Sequence, residues 1–167
     1  MGDQRPRAGF GWRLYPLWRT QVLATFGVFI VIFVILAVPP TDISVGLGLA
    51  AVGILGWNAY WFLLRGVHQL EVRDGTLHWA TPLRSGLVPV AEVQAIRPWL
   101  SLLHVIQTQR GNLAVLVPAF GFERFAQALQ ALQPAMTVQV NKHDGVYLRG
   151  PRWLSRGAGF YRLDGEG

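Results

Sequence analysis

The side chains best able to do chemistry in this chain are four histidines and nine carboxylates, and they are scattered along the sequence. His68 and His78 could face each other across a turn, but Glu71 is the only near candidate for a third metal ligand. No paired-acid motif, Gly-x-Ser-x-Gly sequence or phosphate-binding loop occurs, and Ser85 and Ser101 have no base near them in the sequence. The absence of cysteine excludes thiolate catalysis and cysteine-bound metal. The sequence therefore predicts a protein that is not an enzyme and that holds no metal or cofactor.

Arginine and aromatic residues are concentrated near both ends of the chain, where they could bind a partner. Trp, Tyr and Arg anchor protein interfaces, and Arg also binds lipid phosphate. For the segment after residue 140, three interpretations stand: a solvated disordered tail, an anchor on anionic lipid, or docking onto a partner protein, which we favour. The candidate partner- or lipid-binding residues are Arg5, Arg7, Trp12, Arg13, Trp18, Arg149, Arg152, Trp153, Arg156, Phe160 and Tyr161.

The overall composition favours a membrane protein with anionic partners. Hydrophobic residues make up 51% of the 167 residues, only 14% are charged, and the formal net charge is +6. A basic balance fits nucleic acid, an anionic membrane surface or an acidic protein. No clustered Arg and Lys on a nucleic-acid-binding motif are found, so nucleic acid is not an expected partner. A small-molecule substrate is not expected either.

Residues 21–65 predict a membrane hairpin of two transmembrane helices. Val22–Val38 is apolar apart from one threonine and would span about 26 Å as a helix, close to the thickness of a bilayer core. Pro39 and Pro40 end this run, and a second uncharged run, Ile43–Leu64, follows at once. Arginines flank both outer ends of the hairpin, so the positive-inside rule places both termini in the cytoplasm.

Small and polar residues in the second run indicate helix packing. Gly46, Ala50 and Gly53 recur at i, i+4 and i+7, a spacing that lets two helix backbones approach closely. We expect this stripe to pack against the first helix, with a separate subunit as the alternative. Asn58 is the only strongly polar side chain deep in the hairpin, and we expect it to hydrogen-bond within the helix pair.

Residues 66–140 predict a small domain of antiparallel strands closed by a helix. Asp74-Gly75 is a hairpin signal between two runs of alternating apolar residues, and Arg110-Gly111-Asn112 is a second turn. An apolar stripe that begins with Phe122 and Phe125 and continues to residue 132 predicts an amphipathic helix. The predicted divisions are a cytoplasmic Arg/aromatic segment (1–20), the hairpin (21–65), the domain (66–140) and a basic aromatic tail (141–167).

This order of elements resembles the bacterial pleckstrin-homology-like membrane proteins over about residues 15–138. The segments that carry the resemblance are HQLEVRDGTLHWATPLRSGLVPVAEVQAI and GFERFAQALQAL. The resemblance implies a curved antiparallel sheet or barrel with a C-terminal helix, a place in the bacterial inner membrane, and no catalytic residues. It also implies a role in membrane organisation or complex assembly, and some assembly proteins of photosynthetic complexes contain this kind of domain.

Two functions follow as hypotheses. The first is a structural or assembly subunit of a larger membrane complex, photosynthetic or respiratory, in which the hairpin lies beside other integral membrane subunits and the domain docks on the cytoplasmic face. The alternative is an independent membrane-anchored module that binds anionic lipid head groups or a peptide. Its site would be formed by four arginines near strand ends and turns: Arg73, Arg84, Arg97 and Arg110.

Overall fold

In the computed structural model, the described residues form ten strands and three α-helices. The structure describes residues 9–14, 17–37, 45–100, 103–116, 121–140 and 158–163. The strands are β1 Gly9–Arg13, β2 Gly66–Val67, β3 Gln69–Arg73, β4 Thr76–Ala80, β5 Ser85–Pro89, β6 Val93–Leu100, β7 Leu103–Thr108, β8 Gly111–Leu116, β9 Thr137–Val138 and β10 Gly159–Leu163. The helices are α1 Trp18–Ala37, α2 Val45–Ala59, which continues as a π-helical segment over Tyr60–Arg65, and α3 Phe122–Leu132; a short 3-10 turn covers Val90–Glu92.

The strands form two five-stranded sheets. The first sheet has the order β10-β1-β3-β4-β5, and its neighbouring strands are all antiparallel. The second sheet has the order β2-β8-β7-β6-β9, with parallel pairs at its two short edge strands. Because β2 and β3 are separated only by His68, the chain passes from one sheet to the other at this point. The predicted Asp74-Gly75 hairpin is confirmed, since both residues have positive φ and join β3 to β4.

The core lies between the sheets and is closed by α3. The predicted apolar stripe is confirmed for Phe122, Phe125 and Leu129, which are all fully buried, but not for its last member, Leu132, which is exposed. Trp12 of β1 is also fully buried and meets the Phe122 ring edge-on, with 5.3 Å between ring centroids. Helix α3 therefore packs on strands from the far ends of the described chain.

The prediction of a two-helix transmembrane hairpin followed by a separate α+β domain is wrong. The protein is a small α+β fold made mostly of sheet, and its helical insertion (residues 17–37 and 45–65) lies between β1 and β2 of that fold. Strand β1 pairs with β3, which follows the insertion, and with β10, so strands from residues 1–20 and 141–167 complete the first sheet. Among the described residues, only α1 is long and apolar enough to cross a membrane.

The described part of the second apolar run does not form an α-helix long enough to cross a membrane, and the reason is local. Its α-helical part covers 15 residues, and the following six residues are π-helical. The small residues in this run do not pack against α1 as expected, since a Cβ atom added at Gly46 or Gly53 would meet no atom within 4 Å. Asn58 satisfies its amide within its own helix, by donating from Nδ2 to the Ile54 carbonyl at 2.8 Å.

Candidate functional site

The π-helical segment brings aromatic and basic side chains together at the end of the helical insertion. In a π-helix the backbone hydrogen bonds join residues five apart, so such residues lie one above the other. The Arg65 guanidinium accordingly lies 5.9 Å from the centroid of the Tyr60 ring. Trp61, in the same segment, contacts Trp99 of β6, with 5.2 Å between ring centroids. The segment thereby joins the helical insertion to the second sheet.

A cavity of about 410 Å³ opens beside this contact. Its walls include Trp61 and Arg65 from the π-helical segment and Arg97 and Trp99 from β6. Arg97 and Trp99 are two residues apart on one strand, so their side chains lie on the same face of the sheet. Two guanidinium groups and two indole rings therefore line one opening.

A second cavity, of about 340 Å³, lies between β5 of the first sheet and the β7–β8 turn of the second. It contains Arg84 and Arg110, and it shares Arg65 and Asn112 with the first cavity. We name the two adjoining cavities the arginine groove. Its defining residues are Trp61, Arg65, Arg84, Arg97, Trp99 and Asn112.

Three arginines of the groove have no acidic partner among the described residues. Arg65, Arg84 and Arg97 are exposed, and neither of the ion pairs found in this part of the chain includes them. Arg110 donates two hydrogen bonds of 2.7 Å to Glu92, and this carboxylate raises the pKa of Arg110. The groove therefore carries an excess of positive charge that suits an anionic ligand.

Apolar side chains lie at the rim of the groove. Leu87 and Trp99, which line the groove, are exposed although they are large and hydrophobic, and so is Leu83, which precedes Arg84 in the sequence. A hydrogen bond joins this loop to the helical insertion, since the backbone N–H of Leu83 donates to the Leu63 carbonyl at 3.2 Å. An apolar rim around unpaired cations at the end of an apolar helical segment is typical of a membrane–water interface.

The four arginines predicted for the lipid site divide into two pairs. Arg84 and Arg97 lie in the arginine groove without an acidic partner. Arg110 lines the groove but is paired with Glu92, and Arg73 is paired with Glu71 at 2.7 Å. Arg65 was not among the predicted site residues, because the sequence pattern indicated only that it flanks an apolar run. The alternation of Arg97 and Trp99 is the signal that could have pointed to this face.

The predicted partner-binding residues near the two ends come together in the first sheet. Trp12 is in the core and has no exposed surface, and Phe160 packs near it against Phe10, with 5.9 Å between ring centroids. Arg13 lies over the Tyr161 ring at 5.1 Å. Trp18, at the start of α1, is half-buried, and its ring centroid lies 6.5 Å from that of Phe62.

The described members of the predicted binding set therefore pack against each other or against the rest of the fold. The other predicted binding residues lie outside the described residues: Arg5, Arg7, Arg149, Arg152, Trp153 and Arg156.

The three described histidines occupy different parts of the fold, and His143 lies outside the described residues. His68 is buried where the chain crosses between sheets, whereas His78 is exposed and pairs with Glu71 across β3 and β4. Burial, and next the Arg19 charge, lower the pKa of His68 to about 4, and burial lowers that of His104 to about 4. No group of three or more potential metal ligands occurs in the ranges that the structure describes.

The resemblance to the bacterial pleckstrin-homology-like proteins stays a prediction, because no family model, no curated protein and no solved structure matches this chain.

Proposed function

We propose that this protein is a non-catalytic, membrane-bound module that binds the phosphate of anionic lipids in the arginine groove. The observation that carries the proposal is the position of Arg65, Arg84 and Arg97. These three side chains have no acidic partner among the described residues. Arg65 and Arg97 line one cavity with two tryptophans, and Arg84 lines the adjoining cavity, where an exposed apolar helical segment joins the sheets.

The helical insertion supports a membrane location. An 18-residue window of α1, Trp18–Ile35, has a mean hydropathy of 1.9 and is only 6% buried. A core helix of a soluble domain would bury such residues, since each buried Leu or Ile side chain contributes about 1.5–3 kcal/mol. Large apolar side chains of α2 are exposed as well, including Leu49 and Ile54. Lipid is the environment in which this apolar surface is satisfied.

The chemistry of the groove suits a lipid head group. Arginine forms bidentate hydrogen bonds with phosphate, and its charge is retained at any physiological pH. Tryptophan favours the head-group level of a bilayer because its ring is apolar and its N–H is polar. Arg65 ends the helical insertion, so the groove begins directly beyond the apolar residues of α2 and its π-helical continuation.

The hypothesis of a subunit in a photosynthetic or respiratory complex has less support. It depended on exposed aromatic and basic residues at both ends, which would dock onto other membrane subunits. In the described parts of these ends, Trp12 and Phe160 pack with the core, and Tyr161 lies against Arg13 within the first sheet. The lipid-binding function is therefore the one we propose, and membership of a larger complex stays a prediction.

The head-group site is tested with the full chain in a neutral detergent. Dioctanoyl phosphatidylglycerol and dioctanoyl phosphatidylcholine are titrated separately, and bound lipid is counted by native mass spectrometry. We expect saturable binding of the anionic lipid, weakened about tenfold or more in the Arg65→Gln/Arg97→Gln variant because charge-assisted hydrogen bonds are lost. The matched control is Arg73→Gln, which removes an exposed arginine outside the groove. Equal binding of both lipids, or an equal loss in the control, would overturn the proposal.

The membrane location is tested by labelling. The chain has no cysteine, so a single introduced cysteine is a unique label site. In vesicles, Ile32→Cys on α1 should resist a water-soluble maleimide until detergent is added, whereas Glu123→Cys on the exposed side of α3 should react at once when the domain faces outward. Rapid labelling of both positions in intact vesicles would show that α1 is not embedded in lipid.

A further inference from the structure

We propose that the preferred ligand of the arginine groove is a lipid with two separate phosphate groups, of the diphosphatidylglycerol type. This inference rests on the proposed function and specifies its ligand. It arises from the extent of the groove, which consists of two cavities rather than one, and from the number of unpaired cations distributed along it.

The two cavities adjoin at shared residues. Arg65 and Asn112 line both the cavity of about 410 Å³ and the cavity of about 340 Å³. Arg97 lines only the first cavity and Arg84 only the second. A ligand that enters both cavities therefore passes Arg65 and Asn112 where the cavities meet. The unpaired Arg97 lies on one side, and the unpaired Arg84 lies on the other, together with Arg110, which is paired with Glu92.

The charge of the groove exceeds what a single phosphodiester neutralises. None of the described Asp or Glu residues lines either cavity, and Glu92 lies outside the lining but neutralises Arg110. Three guanidinium groups of the groove remain without an acidic partner among the described residues, whereas a phosphodiester carries one negative charge. Two phosphates fit better, one between Arg65 and Arg97 and the other near Arg84. The Asn112 amide can donate to the glycerol hydroxyl that links two such phosphates.

The rim gives the acyl chains of such a lipid two places to leave the groove. Trp99 is exposed at the first cavity, and Leu87 is exposed at the second. A lipid with two phosphatidyl groups has acyl chains at both ends of its head group. A diphosphate, in which the two phosphorus atoms share one oxygen, has its charge at a single point and its chain at one end. The groove favours the first arrangement.

The test is a competition on the full chain in a neutral detergent, read by native mass spectrometry. Diphosphatidylglycerol is compared with phosphatidylglycerol at equal phosphate, and geranylgeranyl diphosphate is the arm with joined phosphates. We expect diphosphatidylglycerol to bind at least tenfold more tightly than either competitor. In Arg84→Gln the affinity for diphosphatidylglycerol should fall, and its preference over phosphatidylglycerol should shrink to within about twofold. Arg73→Gln should change nothing.

The outcomes separate this inference from the function on which it rests. Equal affinity per phosphate for diphosphatidylglycerol and phosphatidylglycerol would overturn the inference and leave the proposed function standing. A preference for geranylgeranyl diphosphate, or a preference that survives Arg84→Gln, would also overturn it. Failure to bind any anionic lipid would instead overturn the proposed function. Arg84 is exposed and its side chain has no partner in the described parts of the chain, so loss of the fold is not expected in this variant.

Discussion

The Tyr161 hydroxyl donates a hydrogen bond of 2.6 Å to the Glu71 carboxylate, although a whole strand lies between them. Tyr161 is on β10 and Glu71 on β3, and the residue between them on β1 is Gly11. The tyrosine ring lies over this glycine: a Cβ atom at position 11 would be only 2.6 Å from the Tyr161 Cζ atom. The absence of a side chain on β1 is therefore what allows β10 to be tied to β3.

Gly11→Ala should destabilise the first sheet. The new methyl group would lie 2.6 Å from the Tyr161 ring and 2.9 Å from the Leu70 carbonyl oxygen, and the latter belongs to a paired backbone that cannot move away. We expect the free energy of unfolding to fall by about 2 kcal/mol, measured by urea unfolding in detergent. The matched control is Gly53→Ala in α2, where no atom lies within 4 Å. An equal effect at both positions would show that packing against Tyr161 is not the cause.

Tyr161→Phe should lower stability without changing the packing of the ring. Burial alone would raise the pKa of Glu71, but hydrogen bonds from Tyr161, Gln69 and Arg73 keep it below its ordinary value. Loss of the tyrosine hydroxyl should cost about 1 kcal/mol at pH 7 and should raise the pKa of Glu71. Because the pKa of Glu71 is depressed in the folded state, its contribution is present at neutral pH and lost on acidification. A stability unchanged at pH 7 would contradict this assignment.

A chain that ends at residue 157 should lose much of its stability, because it lacks β10. Strand β1 would then become a sheet edge, and the core would lose Phe160, which packs against Phe10. We expect a lower melting temperature and faster limited proteolysis between β1 and α1. A truncated chain as stable as the full one would instead favour a tail that serves only to bind partners. Truncation after residue 163, which retains β10, is the control.

Acidification should destabilise the protein through two buried histidines. The pKa values of His68 and His104 are lowered to about 4, from 6.5 in an unfolded chain. The unfolded state therefore binds more protons below pH 6.5, and stability falls as the pH drops toward 4, by up to about 3 kcal/mol for each histidine. An NMR titration of the histidines checks this directly. His68 and His104 titrating near 6.5, like an exposed histidine, would contradict the expectation.

The parts of the fold that could be predicted are those in which local signals and packing agree. Asp74 and Gly75 adopt the positive φ angles that a tight hairpin requires, and the stripe of α3 is buried from Phe122 to Leu129 as its spacing indicates. Strand β1 could not be recognised in the same way. Gly9 and Gly11 are unfavourable for a strand, and they are explained only by Leu163 and Tyr161 of β10, which lie over them.

The candidate site could be predicted only in part for a related reason. Proximity to strand ends and turns predicts Arg84 and Arg97 as site residues, but it predicts Arg73 and Arg110 equally well. What separates the pairs is the position of Glu71 and Glu92, which depends on side-chain reach and strand register. Arg65 reaches the groove only because the helical insertion ends in a π-helical segment directly before β2, a feature without a sequence signal of its own.

The pairing of Gly9 with Leu163 determines the order in which the protein can be completed during its synthesis. On the ribosome β1 is made before any of the other strands, yet its two neighbours in the sheet emerge only after the apolar helices and, for β10, after every other described strand. Closing so long a loop carries an entropic cost and makes sheet formation slow. Under the proposed membrane location, the nascent chain must therefore hold an unpaired strand in water while its helices are delivered to the membrane, an interval in which a chaperone or the insertion machinery would have to protect it.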